Sequence, residues 1–480
     1  MSTKRILEGP IAWEVLRFGG PLALGGALQT TFNLADAYLV AHLPPEEVGA
    51  AVGALGLCDQ LAALGTILTY GISTAAGVLV SQSKGAGDDA GVRRTAWQST
   101  LIVLALSVVF GLVGLFGSGV IVRDVIGAKG AVADVAIRYL RVMVGGSFSI
   151  FFLLQLSAIQ RALGSSKTPV ALMLGGNVVN IAVAVLFIYG PGPAPPHLAF
   201  LTGVAKALGI PAMGMMGAAW ATLLARSLTL VPMVVVLLRR FSVVPAAGAR
   251  RPEWPEIRRV LALAWPSSAQ FVVRIGAMLL VSSLVARYFT TPTDQTATTA
   301  MGLVFRLDTM VLFVAMGWGS AAQTFVAQNV GAAQGDRARK AGLVATGYGL
   351  ATSALLAVLA VRYGEPILRA FDDEAAPVAV AMRYLVIVAP AYLGIGSGIV
   401  LGNSIVGAGA TRTTLVIDLV VILLVQLPLS LLVVAALHGS LDALFRCVAV
   451  TGGASALVYV FVYLRGRWLP ARAAAPRGGG

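Results

Sequence analysis

Residues Glu14 to Ala41 read EVLRFGGPLALGGALQTTFNLADAYLVA, an apolar run that carries one carboxylate well inside it, Asp36. At 1.5 Å per residue, a helix of this length crosses the roughly 30 Å hydrocarbon layer of a bilayer. Gln29, Asn33 and Asp36 fall at i, i+4 and i+7 and so share one face of that helix. The stripe cannot look at lipid, because a carboxylate at membrane depth costs about 2.5 to 3.5 kcal/mol on insertion scales unless it meets protein or water. Asp36 is therefore a candidate functional group, with Gln29 and Asn33 beside it on a wall that faces a cavity. Pro21, after Gly20, deletes a backbone hydrogen bond and marks a kink, either fixed or working as a hinge.

Composition extends this reading to the whole chain. Of 480 residues, 58% are hydrophobic and 12% charged, with a mean hydropathy of +0.85; an ordinary soluble domain is about one quarter charged. The fold class is an all-α polytopic membrane protein. The net charge of +14 does not point to nucleic acid, since no basic stripe interleaved with aromatics stands on a soluble domain. Cys58 and Cys447 lie in apolar segments without motif spacing, and His42, His197 and His438 lie in connecting loops, so neither a disulfide framework nor a metal centre is expected. An intramembrane enzyme finds no HExxH or GxSxG pattern to work with. The N-terminus, MSTKRILEGP, lacks the short apolar core and small-residue cleavage site of a signal peptide, so the first segment is expected to stay in the mature protein.

Twelve segments are long enough to cross the bilayer, centred near Leu28, Leu64, Leu104, Gly145, Val179, Arg226, Val273, Phe313, Leu350, Gly394, Leu424 and Ser455. With both termini inside, the termini and inner loops hold 22 of the 35 Lys and Arg residues and the outer loops hold 6. That asymmetry is a positive-inside signal for an even number of spans, cytoplasmic termini and a place in the inner (plasma) membrane. The net charge is thus a topology device.

The chain also repeats. Val80-Ser-Gln82-Ser-Lys-Gly85-Ala86, followed by Arg93-Arg94, returns 246 positions later as Val326-Ala-Gln328-Asn-Val-Gly331-Ala332, followed by Arg339-Lys340. Gly164-Ser-Ser-Lys167-Thr168 returns as Gly409-Ala-Thr-Arg412-Thr413, and Pro21 as Pro266, both at an offset of 245. Between the two copies, Arg239 to Arg259 passes through Pro245, Pro252 and Pro255 with the composition of a linker. The expected organisation is an N-lobe of six helices over 1–240, a cytoplasmic linker over 241–256, and a C-lobe of six helices over 257–480 ending in a short basic tail. Parallel repeats of this kind face each other across a central cavity, and swinging one against the other gives alternating access.

The ordered set Pro21, Asn33 and Asp36; Val80-Ser-Gln82 with Gly85-Ala86; Arg161-Ala-Leu-Gly164 before Pro169; Asn177-Val-Val-Asn180-Ile181; Gly217-Ala-Ala-Trp-Ala-Thr222; and Arg306-Leu-Asp308 leading to Gln328-Asn329-Val-Gly331 resembles the multidrug and toxic compound extrusion (MATE) family of cation-coupled exporters, most of all its prokaryotic DNA-damage-inducible branch. The resemblance covers essentially the whole chain. It implies an N-lobe proton or cation site built from Asp36, Asn180 and Thr222, with Asn177 nearby. A carboxylate beside amide and hydroxyl oxygens can hold a small hard cation or, in a poorly hydrated pocket, a proton. The family often has a second acid four residues after the second asparagine, where this chain has Ala184. A sodium cage missing that oxygen is weaker, which favours H+ over Na+ as the coupling ion. No other cofactor is expected.

For Asn177 and Asn180 interhelical hydrogen bonding is the competing role, for Thr222 a bond to its own helix, and for Asp59 an ion pair with Arg138 or Arg141. The C-lobe offers Arg274, Arg306 and Asp308 to the same substrate cavity as Gln29, Asn33 and Asp59, and Pro266 repeats the hinge. Arg306 and Asp308, two residues apart, point to different sides of a helix. Arg274 paired with Asp308 or Asp418 would be structural, whereas unpaired arginines would favour anionic cargo. The leading expectation is antiport of amphipathic or cationic compounds, packed on residues such as Met215, Phe271, Met278 and Phe313, by a functional monomer bathed in membrane lipid. The alternative is a flippase for lipid-linked oligosaccharide or another anionic lipid.

Overall fold

The computed structural model describes residues 2–42, 45–245, 250–371 and 374–471, apart from the side chains of residues 31, 33–37, 40, 41, 45–63 and 196. Among the described residues, helices and their connecting turns make up all the regular structure. Nine helices there are long and apolar enough to cross a membrane, and two bent pairs each add one more. The 31-residue helix Ile11–Ala41 completes twelve.

In chain order, span 1 is Ile11–Ala41, span 2 Pro45–Gly85 and span 3 Asp89–Val125. Span 4 joins Gly130–Met143 to Phe148–Ala162, span 5 is Lys167–Tyr189 and span 6 Met215–Phe241. In the second lobe, span 7 is Trp254–Tyr288, span 8 Thr296–Gly331 and span 9 Gly335–Arg369. Span 10 joins Ala375–Val388 to Ala391–Gly407, span 11 is Thr411–Ala436 and span 12 Leu441–Arg465.

Local chemistry sets where these helices start and stop. Asp88 begins span 3 by accepting from the Gly91 N–H at 2.8 Å, and Ser440 begins span 12 by accepting from the Ala443 N–H at 3.3 Å, each covering a donor that a helix start leaves open. Gly164 and Gly409, partners in the repeat, hold φ at +86° and +92°. That left-handed conformation stops the helices before spans 5 and 11, and a side chain would resist it.

Pro21 and Pro266 both lie inside unbroken helices, so neither ends its span. The sharp bends fall elsewhere: 40° where Val144 to Ser147 interrupts span 4, and 60° at Ala389-Pro390 in span 10. The two breaks occupy matching places in the repeat. Continuous spans centred at Gly145 and Gly394 are what the sequence predicts, because the residues on both sides are apolar and hydrophobic periodicity does not register an interruption of one turn.

The repeat also dictates how the two bundles meet. Span 1 packs on span 8, span 7 packs on span 2, and spans 2 and 8 face each other, as a two-fold relation requires. At the end holding both chain termini the lobes interlock reciprocally. Gln82 Nε2 donates to the Gly407 carbonyl at 3.2 Å, and its counterpart Gln328 Nε2 donates to the Ala162 carbonyl at 2.8 Å. A Cβ built on Gly85 would fall on the Gln328 carbonyl, and one built on Gly331 on the Gln82 carbonyl. Phe18 and Leu22 share an apolar cluster with Trp318 and Phe325, and Ile72 and Leu79 share another with Val260 and Ala264.

At the opposite end each lobe keeps a core of its own, one drawn from spans 7–12 and the other, among the described residues, from spans 1 and 3–6. The molecule is closed at its terminal end. The connection between the lobes runs along the same end, where Gln98 of span 3 holds it in both directions, donating to the Arg251 carbonyl at 2.8 Å and accepting from the Glu253 N–H at 3.0 Å.

Candidate transport sites

The C-lobe site is built on the bend in span 10. Tyr384 lies before the break and Tyr392 after it. On a straight helix eight residues separate their attachment points by about 12 Å along the axis. Pro390 has no N–H to continue the hydrogen-bond ladder, and the 60° turn there lets both hydroxyls reach one carboxylate. Tyr384 donates to Asp308 Oδ2 at 2.6 Å and Tyr392 to Asp308 Oδ1 at 2.5 Å. No cation pairs with Asp308 among the described residues.

Arg274 of span 7 meets Asp418 of span 11, with Nε to Oδ2 at 2.6 Å. Asp418 is 2% exposed and also accepts from Gln270 Nε2 at 2.9 Å and from the Tyr459 hydroxyl at 2.7 Å. A buried carboxylate needs such a full set of donors, because each unfilled lone pair adds desolvation cost. Arg274 is thus the partner of Asp418, which answers the choice the sequence left open between Asp308 and Asp418.

Asp308, Arg274, Met278 and the three tyrosines line one cavity of about 210 Å3 whose walls are mostly apolar side chains. It shares Arg274 and Met278 with a cavity of about 60 Å3. That one in turn shares Phe271 and Ile275 with a cavity of about 320 Å3 lined from both lobes, by Ile67, Phe110 and Phe151 among others.

In the N-lobe, Asn177 Nδ2 donates to Gln29 Oε1 at 2.9 Å and ties span 1 to span 5. Gln29 stands 245 positions before Arg274, so the two lobes bridge their first and fifth spans from equivalent positions, one with a neutral pair and the other with an ionic one. Asn180 is 8% exposed, and Thr222 of span 6 is half-buried. The side chains of Asn33, Asp36 and Asp59 lie outside the described residues.

Two expectations need correcting. Arg306 does not line the C-lobe cavity; its guanidinium lies 4.8 Å from the ring centre of Phe371, an aromatic face that takes a cation without an acid. Met215 is 4% exposed within the N-lobe core, so it packs the bundle and does not meet cargo. Sequence reasoning overlooked Tyr384, Tyr392, Tyr459 and Gln270. The signal available was Tyr139, 245 positions before Tyr384 and likewise buried.

The family model MatE matches residues 21–186 and 273–432, one stretch in each lobe and more than half of the chain together. The chain belongs to the MatE family. As a MatE protein it is a multi-pass membrane transporter and not an enzyme. Among curated relatives, the probable multidrug resistance protein YpnP of Bacillus subtilis is 27% identical over 435 residues, covering 90% of each chain. The probable multidrug resistance protein NorM of Thermotoga maritima is 22% identical over 459 residues, 95% of this MatE chain and 92% of its own length. Among solved structures, the fold matches a multidrug resistance MATE family transporter in an outward-facing conformation at a TM-score of 0.83 and 21% identity, covering 97% of both chains.

Proposed function

We propose that this MatE chain is a secondary active multidrug exporter of the plasma membrane, working as a monomer with both termini in the cytoplasm. It exchanges amphipathic or cationic organic compounds for H+, with Na+ as the alternative ion, by rocking its two lobes. The names of its relatives point to multidrug resistance. The observation that carries the cargo class is the 210 Å3 cavity: its carboxylate, Asp308, faces two tyrosines and, among the described residues, pairs with no cation, while the arginine in the same wall, Arg274, is neutralised by Asp418. Apolar walls suit an organic body, and a carboxylate without a counter-ion suits a positive charge. A flippase for anionic lipid would need that arginine unpaired.

With the terminal end sealed, cargo leaves from the far side. An ion arriving at Asp36, among Asn177, Asn180 and Thr222, or at Asp308 removes the negative charge that held the cargo; Pro21 and Pro266 are the places where span 1 and span 7 can bend in response. Only a ligand that binds the two arrangements unequally can drive such a cycle. In proteoliposomes under an imposed pH or sodium gradient, Asp36→Asn and Asp308→Asn are each expected to expel a cationic dye more slowly than the parent. Efflux at the parental rate by both variants would end this reading.

A further inference from the structure

A cation that the exporter mechanism leaves unused is Arg161, near the end of span 4. One of its N–H groups donates to Ser157 Oγ at 2.5 Å, and no acid pairs with it among the described residues. Two acids inside spans whose side chains are not described, Asp36 and Asp59, stand far along their helices. Asp59 lies eighteen residues from Gly77, which lines the Arg161 cavity, and so is about 27 Å away by helical rise. Asp36 lies equally far beyond Phe18, the residue of span 1 that meets Phe325.

The cavity beside Arg161 holds about 70 Å3, and both lobes build it: Tyr70, Ser73 and Thr74 from span 2, and Ser320, Gln323 and Thr324 from span 8. Gln323 crosses the seam above it, donating to the Thr74 carbonyl at 3.2 Å. The space admits one monatomic ion with a water or two, each water taking about 30 Å3 in the liquid, and is too small for a drug-sized molecule. A guanidinium carries five donors and a fixed charge. Enclosed without a counter-charge, such a group opposes the closure that encloses it.

We propose that this cavity binds one small monovalent anion, of which chloride is the simplest, on the Arg161 guanidinium, with the second N–H of the Gln323 amide beside it, since Ser73, Ser320 and Thr324 already donate to other acceptors. The site exists as described only while spans 2 and 8 are together. An anion held there therefore favours closure of the terminal end, as any ligand favours the state that binds it better. This is a second, anion-dependent control on the lobes, at a site separate from those of the cargo and of the coupling ion and linked to them through the same equilibrium.

The test uses the purified full-length protein in sodium chloride and in sodium gluconate at equal ionic strength. The readouts are the thermal unfolding midpoint and the distance between spin labels at the terminal ends of spans 2 and 8. Chloride is expected to raise the midpoint saturably and to enrich the short distance, with bromide acting alike. Arg161→Met is expected to lose both responses and to be at least as stable as the parent in gluconate, because no unpaired charge remains to be enclosed. Arg161→Lys keeps a response that needs more chloride, and it decides the matter if the methionine variant fails to fold. Asp308→Asn keeps the full response, which separates this site from the cargo site. A parent indifferent to chloride, an Arg161→Met protein that responds as the parent does, or an Arg161→Lys protein with an unshifted response overturns the proposal.

Discussion

Valine at Gly85 or at Gly331 is expected to abolish transport while leaving each lobe folded. The first Cβ already collides with backbone across the seam. A Cβ on Gly85 would lie 2.6 Å from the Gln328 carbonyl carbon, and one on Gly331 would lie 2.8 Å from that of Gln82, with the carbonyl oxygens closer still. Overpacking that side chains can absorb costs roughly 1–3 kcal/mol. Here backbone has to move, so the penalty sits at about 3 kcal/mol, which shifts a two-state equilibrium roughly 150-fold. The penalty applies only when the terminal end is closed, so the variants should be held open there and unable to complete a cycle. Dye efflux from proteoliposomes should fall to background, with the unfolding midpoint of each lobe retained. Gly347→Ala in span 9 is the control: nothing lies within 4 Å of its Cβ position, and alanine favours the helix, so its efflux should match the parent.

Removing Arg274 is expected to be the most destabilising single change in the C-lobe. Asp418, 2% exposed, would keep Gln270 and Tyr459 as donors but lose its counter-charge. Breaking one side of a buried ion pair costs about 3–5 kcal/mol, whereas replacing both members by apolar residues of similar volume is often neutral or stabilising. Arg274→Met should therefore lower the thermal midpoint strongly, and Arg274→Met with Asp418→Leu should restore much of it. Equal losses in the single and double variants would show that Arg274 acts through packing and not through its charge.

Much of this architecture was written in the repeat. The offset of 245 to 246 residues joins Gln82 to Gln328, Gly85 to Gly331 and Gly164 to Gly409 in the sequence alone, and these residues are the reciprocal seam and the matched helix stops. Asp308 and Arg274 were legible because a charge in an apolar span has few uses. Tyr384, Tyr392 and Tyr459 were not, since a tyrosine in such a span reads as packing until its hydroxyl is seen to have an acceptor. The acceptor depends on the bend at Ala389-Pro390, which no periodicity reveals. The spacing of Arg306 and Asp308 rightly sends the two to different sides of the helix, one to Phe371 and the other to the tyrosines, but spacing alone does not tell which side faces the cavity, and so Arg306 was counted among its walls.

The account as a whole stands on the reciprocal contact of spans 2 and 8 opening and closing during transport. Spin labels on Ser83 and Val330 in proteoliposomes report that distance directly. The account predicts two populations, short and long, whose ratio changes when a pH or sodium gradient is imposed together with cargo. A single short distance, unchanged while the same vesicles expel dye at full rate, would contradict it.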